Sequence, residues 1–387
     1  MASMLIYITV NSQATSRFKS LLNKRHHQVK LVVSFLRWRI LIVLIQVGGF
    51  EMRFEQTIHQ IETLVADEVV PGVSYAVIEG QQVTTKVLGY SELTPNLIPL
   101  EPGQLYDLAS LTKVIGTTTL ILRLLERGRL SLTTKVHSIL PAFKDRRVTV
   151  LHLLTHTSGL EGYIPNRNQL AAPALKEALL TQLTVGPNFG KKVVYTDIGM
   201  LYLGWMLEVI YGKPIQDLIQ SMVLTPLGMD QSTFAPEASQ SVPTELTTTR
   251  GLIQGVVHDP KSYILQNHSG AAGLFAPLAD VVRFAQFQLG QLKVAEAPVS
   301  QASIKGLYRD WTPAHLGRSL GWDLRFTADQ TPLIYHTGFT GTFMLLDRKR
   351  QTGLIVLSNR IHPTADNQAF LDRRTMIVDQ FLAEDKA

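Results

Sequence analysis

Between Val114 and Leu125 the chain reads Val-Ile-Gly-Thr-Thr-Thr-Leu-Ile-Leu-Arg-Leu-Leu, and only Arg123 interrupts a segment that is apolar on nearly every side. A helix without a polar face has no stable place at a protein surface, so this one must be wrapped by other elements. Glu126-Arg127-Gly128 then supplies a charged last turn and a glycine stop. A buried central helix needs a large body around it. With 387 residues, 45% hydrophobic and 18% charged, the chain can supply one as a large single domain or two coupled ones.

Directly before the apolar run lies Asp107-Leu108-Ala109-Ser110-Leu111-Thr112-Lys113. Ser110 and Lys113 stand at i and i+3, on one face of the helix that begins there. A serine hydroxyl attacks poorly until a neighbour takes its proton, and a lysine can be that neighbour only where its surroundings lower its pKa. Burial beside the apolar run would do so. Ser110 would also sit at the positive end of the helix, where free backbone N–H groups can face an oxyanion. Taken alone, Ser-x-x-Lys is common and better describes a capping serine and a lysine that snorkels to solvent. The rest of the chain has to choose between the two.

The composition removes several classes. Cysteine is absent, which excludes disulfides, zinc–cysteine sites and thiol chemistry and leaves the compartment open. The net charge of +6 resides in residues 1–51, where Arg17, Lys19, Lys24, Arg25, Lys30, Arg37 and Arg39 face Glu51 alone. The body is therefore neutral and has no excess charge for nucleic acid. In the leader an apolar run from Leu31 to Val47 is broken by Arg37 and Arg39. Each arginine would cost roughly 2.5–3.5 kcal/mol at the centre of a spanning helix. The segment reads as an interfacial anchor, an atypical export signal, or translated sequence upstream of a start at Met52, where an amphipathic pattern opens with Phe54, Ile58, Ile61 and Leu64. A start at Met52 would imply a cytoplasmic protein whose fold does not need the leader. The other two readings imply a membrane-associated or extracytoplasmic one, with membrane contact only through the leader.

Downstream, Gly72–Ile78 and Gln82–Tyr90 flank Glu79-Gly80 as a β-hairpin. His152 and His156 have the spacing of a helical metal pair, but no glutamate follows the first and no third ligand is evident, so packing and loop hydrogen bonds are expected instead. Tyr195-Thr196-Asp197 precedes a second apolar helix from Ile198, and Ala235–Thr249 reads as a long surface loop bordering a cleft. After a helix over Ala279–Leu289, strands are expected at Pro332–Gly338, Gly341–Leu346 and Gly353–Ser358, with a closing helix over Asp366–Leu382. There is no internal repeat, Gly-rich phosphate loop or coiled-coil heptad, and no cofactor or metal is called for.

These stretches together resemble the serine β-lactamase-like family, which contains class C β-lactamases, low-molecular-weight penicillin-binding proteins and related esterases and peptidases. The resemblance runs from about Val69 to the C-terminus. It rests, in family order, on Ser110-x-x-Lys113, Leu153-Leu154-Thr155-His156-Thr157-Ser158-Gly159, Tyr195-x-Asp197, Pro226-Leu227-Gly228-Met229 and His336-Thr337-Gly338. It implies an α/β (α+β) fold in which helices flank an antiparallel sheet and a mainly helical region is inserted. Residues 52–108 and 262–387 would form the sheet region and 109–261 the helical one, with the active site at their junction. It also implies roles: Ser110 as acyl-enzyme nucleophile, Lys113 and Tyr195 as acid/base pair, His336, Thr337 and Gly338 as the strand edge beside substrate, and the backbone N–H groups of Ser110 and Phe339 as oxyanion hole.

Two residues depart from the pattern. His336 stands where the family usually has lysine, and Asp197 where it has asparagine or serine. One fixed positive charge is lost and a carboxylate is added, which works against an anionic β-lactam. The expected function is therefore a serine hydrolase acting through an acyl-enzyme on a cell-wall-related D-amino-acid peptide, muropeptide or ester, with weak or no β-lactamase activity. Gly270–Phe275 and Ser358–Thr364 look most like the peptidoglycan-recycling amidase branch. The alternative is a binding or sensing module that acylates without turnover. Asp197 either enters the cleft near Lys113 or merely caps the helix from Ile198.

Overall fold

The protein is described here by a computed structural model covering residues 53–386 and, in the leader, the backbone of two strands. Those two, Lys30–Phe35 and Leu41–Gln46, pair antiparallel within a unit of their own. Residues 56–387 form the second unit, which carries all the motifs above.

Its sheet has seven strands, each antiparallel to its neighbours. In chain order the elements that build and cover it are α1 (Glu55–Ala66), β1 (Gly72–Glu79), β2 (Gln82–Glu92), β3 (Ile98–Pro99), α2 (Thr118–Glu126), α3 (Ile198–Tyr211), α4 (Leu278–Leu289), β4 (Asp323–Phe326), β5 (Pro332–Thr337), β6 (Phe343–Asp347), β7 (Thr352–Ser358) and α5 (Gln368–Glu384). The strands lie in the order β4-β5-β6-β7-β1-β2-β3, so the C-terminal meander joins the N-terminal hairpin through β7 and β1. The expected hairpin is present, with Gly80 supplying the left-handed turn residue. The strand expected from Gly341 begins two residues late, at Phe343, because Gly338–Thr342 is a tight turn closed by Gly338 N–H donating to Thr342 O at 2.6 Å.

Both faces of the sheet are covered, which is why β7 is buried along its whole length and reads as an unbroken Gly-Leu-Ile-Val-Leu run. One row, Ile334, Leu346 and Ile78, joins the core shared with the helical region. On the opposite face Tyr75 donates its hydroxyl to Glu62 of α1 at 2.6 Å. Asn367 caps α5 by accepting from Phe370 N–H, and Arg373 of α5 donates to Thr63 of α1. Glu384, near the end of α5, accepts from the Gln56 and Thr57 backbone N–H groups at 3.0 Å each, so a carboxylate of the last helix caps the first.

The segment expected to be central is central. Leu111 to Leu122 is buried without a break, and each large side chain removed from water there contributes on the order of 1.5–3 kcal/mol. Its first part, Lys113–Thr117, is wound as a π turn before α2 proper. Gly116 lies in that turn because a Cβ would come within 2.9 Å of Ile219 Cγ1. One expectation is modified: part of the 235–249 loop is buried, where Val242 N–H donates to Leu105 O and Thr244 N–H to Ile253 O. Among the described residues no helix is long and apolar enough to cross a membrane.

Candidate active site

Ser110 stands on a bent stretch of backbone. Ala109 before it has φ of +45°, a left-handed conformation that costs a non-glycine residue energy and persists where surroundings enforce it. The enforcing group is Asp107, fully buried, whose carboxylate accepts from Ala109 N–H and from His258 N–H at 2.8 Å each. Burial pushes the Asp107 carboxyl up from its ordinary pKa, while those two N–H bonds oppose the rise. The end of β5 locks against the same turn. Thr340 and Thr342 donate their hydroxyls to Asp107 O and Leu108 O. A Cβ on Gly338 would overlap Thr342 Oγ1 and approach Leu108 O to 2.6 Å, so only glycine lets the strand reach the nucleophile turn.

Lys113 is fully buried and all three of its ammonium protons are engaged. Nζ donates to Ser110 Oγ at 2.6 Å and to Ala271 O at 2.8 Å, and pairs with Asp197 Oδ1 at 2.8 Å. Burial works against its charge, but the Asp197 carboxylate and Tyr195 outweigh that and raise its pKa above the ordinary lysine value. The lysine does not snorkel; it is an interior ammonium turned toward the serine.

Asp197 settles in the cleft. Its side chain makes no capping bond to α3, where Thr196 Oγ1 accepts from Ile198 N–H instead. Its second oxygen, Oδ2, pairs with Lys261 at 3.1 Å, and Lys261 pairs in turn with Asp259 at 2.8 Å. Burial would raise the Asp197 carboxyl, yet the two lysines hold it well below the usual carboxylate range. Lys261 and Asp259 were not anticipated from the sequence. The charge balance expected there changes accordingly, because the added carboxylate is offset by an added lysine.

Tyr195 is 47% exposed and faces the cleft. Its ring centroid lies 5.6 Å from Lys113 Nζ and 5.8 Å from the Arg318 guanidinium carbon. His156 and His336 flank the ring at 4.7 Å and 6.0 Å between centroids. Both histidines are buried, and burial, then the Arg318 charge, lowers their pKa values well below the ordinary range, so both are neutral. His152, the other half of the suspected pair, caps its own short helix through Thr149 at 2.8 Å. Among the described residues no cluster of three or more metal-ligating side chains forms.

Phe339 is 52% exposed, stacked on His258 at 5.4 Å, with Arg360 4.8 Å over its ring and donating to its carbonyl. Among the described residues neither the Ser110 nor the Phe339 N–H donates to a protein acceptor. Thr337 is partly buried at the end of β5 and its carbonyl contacts His336 Nδ1 at 3.0 Å. Beside Tyr195, Asp197 and Lys261 opens a cleft of about 280 Å³, with Glu161 and Arg167 on its wall and Leu160, Ile164, Leu179 and Leu183 behind. The structure thus gathers Ser110, Lys113, Tyr195, Asp197, His336 and the turn after β5, and adds Lys261 and Arg318.

The chain is similar to several known proteins. A "Putative D-alanyl-D-alanine carboxypeptidase" of Salmonella typhimurium is 24% identical over 374 residues, covering 82% of this chain and 85% of that protein. A class C beta-lactamase superposes with a TM-score of 0.70 at 21% identity, over 88% of this chain and 99% of that one. EstCE1, a hydrolase with promiscuous acyltransferase activity, does so with 0.68 at 17% identity, over 86% and 98%. At such identities the solved structures share the fold and no more. The Beta-lactamase family model, however, matches residues 58–375, nearly the whole of the folded body, and on that match the chain belongs to the beta-lactamase family.

Proposed function

We propose that the protein is a serine hydrolase that opens an ester or amide through an acyl-enzyme on Ser110. The observation that carries this reading is the 2.6 Å contact between Lys113 Nζ and Ser110 Oγ, made by an ammonium whose other two protons are held by Ala271 O and Asp197. A lysine so engaged fixes the serine oxygen but has no lone pair to accept a proton. Tyr195 then takes the base role. Its phenolate accepts the Ser110 proton as Oγ attacks the carbonyl carbon, and charge on the tetrahedral oxygen meets the Ser110 and Phe339 N–H groups. Tyr195 returns the proton to the departing oxygen or nitrogen as the C–O or C–N bond breaks. Water repeats the cycle, giving its proton to Tyr195 and releasing the acid and free Ser110.

For substrate, the reading is a D-amino-acid peptide, muropeptide or ester of the cell wall, with β-lactams hydrolysed weakly or not at all. The neutral His336 where the family carries a lysine supports it, since nothing on that strand fixes a β-lactam carboxylate by charge. In this reading residues 52–108 and 262–387 supply the strand side of the cleft and 109–261 the helical side.

A fluorophosphonate or labelled penicillin should add once, on Ser110, and Ser110→Ala should abolish the mass shift. No adduct with any acylating probe would sink the proposal, and a stoichiometric adduct without turnover of p-nitrophenyl esters would make the protein a binding module. A panel of muropeptides, D-amino-acid esters and β-lactams then separates the substrate classes.

A further inference from the structure

Four charges alternate in a line that ends on the nucleophile. Asp259 is anchored first: its Oδ1 accepts from Ser262 N–H at 2.8 Å and caps the short helix Pro260–Leu265. Its Oδ2 holds Lys261 at 2.8 Å, Lys261 holds Asp197 Oδ2 at 3.1 Å, Asp197 Oδ1 holds Lys113 at 2.8 Å, and Lys113 holds Ser110 Oγ at 2.6 Å. The four side chains come from three separate stretches of sequence and are at most 27% exposed. A lone aspartate beside Lys113 would be free to swing toward solvent or toward the ammonium. Held by a lysine on each oxygen, it has one position.

We propose that Lys261 is a positioning residue for acylation, fixing Asp197 as a carboxylate at a set distance from Lys113 and so fixing the Lys113–Ser110 contact. It rests on the acyl-transfer reading above and adds a residue that takes no part in the bond changes. The other groups that face Asp197 do not substitute for Lys261. Tyr195 is on its own segment, and His156 and His336, on the neighbouring turn and on β5, are neutral through burial. Glu161 and Arg167 lie on the cleft wall, and Arg318 lies beyond the Tyr195 ring.

The sign of the effect follows. With Lys261 neutral, Asp197 keeps its burial and loses one of its two cations, so its pKa rises and it protonates at higher pH. Protonated, it no longer orients Lys113. For hydrolysis of a short-chain p-nitrophenyl ester, Lys261→Gln is expected to move the acid limb of kcat/KM up by at least one pH unit. At pH 7 it should lower kcat about 10-fold, with KM within about 2-fold. Lys261→Arg should restore both. Asp259→Asn keeps the helix cap and leaves Lys261 to Asp197 alone, so its acid limb should stay where it is or move down.

A Lys261→Gln protein with a wild-type melting curve and a superimposable pH profile would overturn the proposal, as would an Asp259→Asn acid limb that rises. A merely structural Lys261 would lower activity and melting temperature together without moving the limb, which also overturns it. Ser110→Ala separates the two levels. If it retains the esterase activity, the acyl-transfer reading has failed; if it is inactive while Lys261→Gln behaves as wild type, only the positioning role has.

Discussion

Replacing Asp197 by Asn removes the charge that raises the Lys113 pKa while keeping the size of the side chain. Lys113 should then lose its proton more easily, so the basic limb of kcat/KM is expected to move to lower pH. A pH–rate series on both proteins checks this, and an unchanged basic limb would leave the carboxylate without influence on the lysine. Gly338→Ala addresses the backbone. Its Cβ would meet Leu108 O at 2.6 Å, so β5 must withdraw from the Ser110 turn, and kcat/KM should fall about 100-fold, the order expected when reacting groups are misplaced by about 1 Å. Ser110, Lys113, Tyr195 and His336 were legible because each belongs to a short sequence pattern. Lys261 was not: Asp259-Pro260-Lys261 reads as a helix start, and only folding brings the lysine onto Asp197.

At the level of elements, the turn after the Val150–Leu154 helix and strand β5 each deliver a buried neutral histidine to Tyr195. His156 and His336 have folded pKa values well below the 6.5 of an unperturbed imidazole. Below pH 6.5 the unfolded chain takes up protons that the native state refuses, so stability is complete above that pH and declines as pH falls toward the folded values, by about 1.4 kcal/mol per unit for each histidine. Thermal melts from pH 7.5 to 5 should therefore slope downward, and His156→Gln should flatten the slope. The capping of α1 by α5 gives a second test: Glu384→Ala should cost about 1 kcal/mol and leave kcat/KM unchanged, since the cap lies away from the Ser110 cleft. The hairpin, the meander and the apolar helices could be read in advance because their periodicities are local. The π turn at Lys113–Thr117 could not: Gly116 within it lies against Ile219, from a distant part of the chain, and no local pattern marks that contact.

On the scale of the whole folded body, the sheet and the helical region share one core and meet at the Ser110 turn. Neither side completes the site alone. Unfolding followed by near-UV and far-UV circular dichroism should give coincident transitions, and separate midpoints would show that the two regions melt independently. The architecture was legible as a sheet plus an inserted helical part, whereas the burial of 242–244 was not, because that stretch carries the serines, threonines and prolines of an exposed loop. The two margins of the sheet have a consequence for self-association. At one margin β3 is two residues long and includes Pro99, which has no N–H to offer an incoming strand. At the other, β4 has four residues and presents Asp323 and Arg325. A broad sheet with such truncated margins gives a neighbouring chain almost no ladder to continue, so the growth of fibrils by strand addition is blocked at both ends while the centre stays free to be as apolar as the core demands.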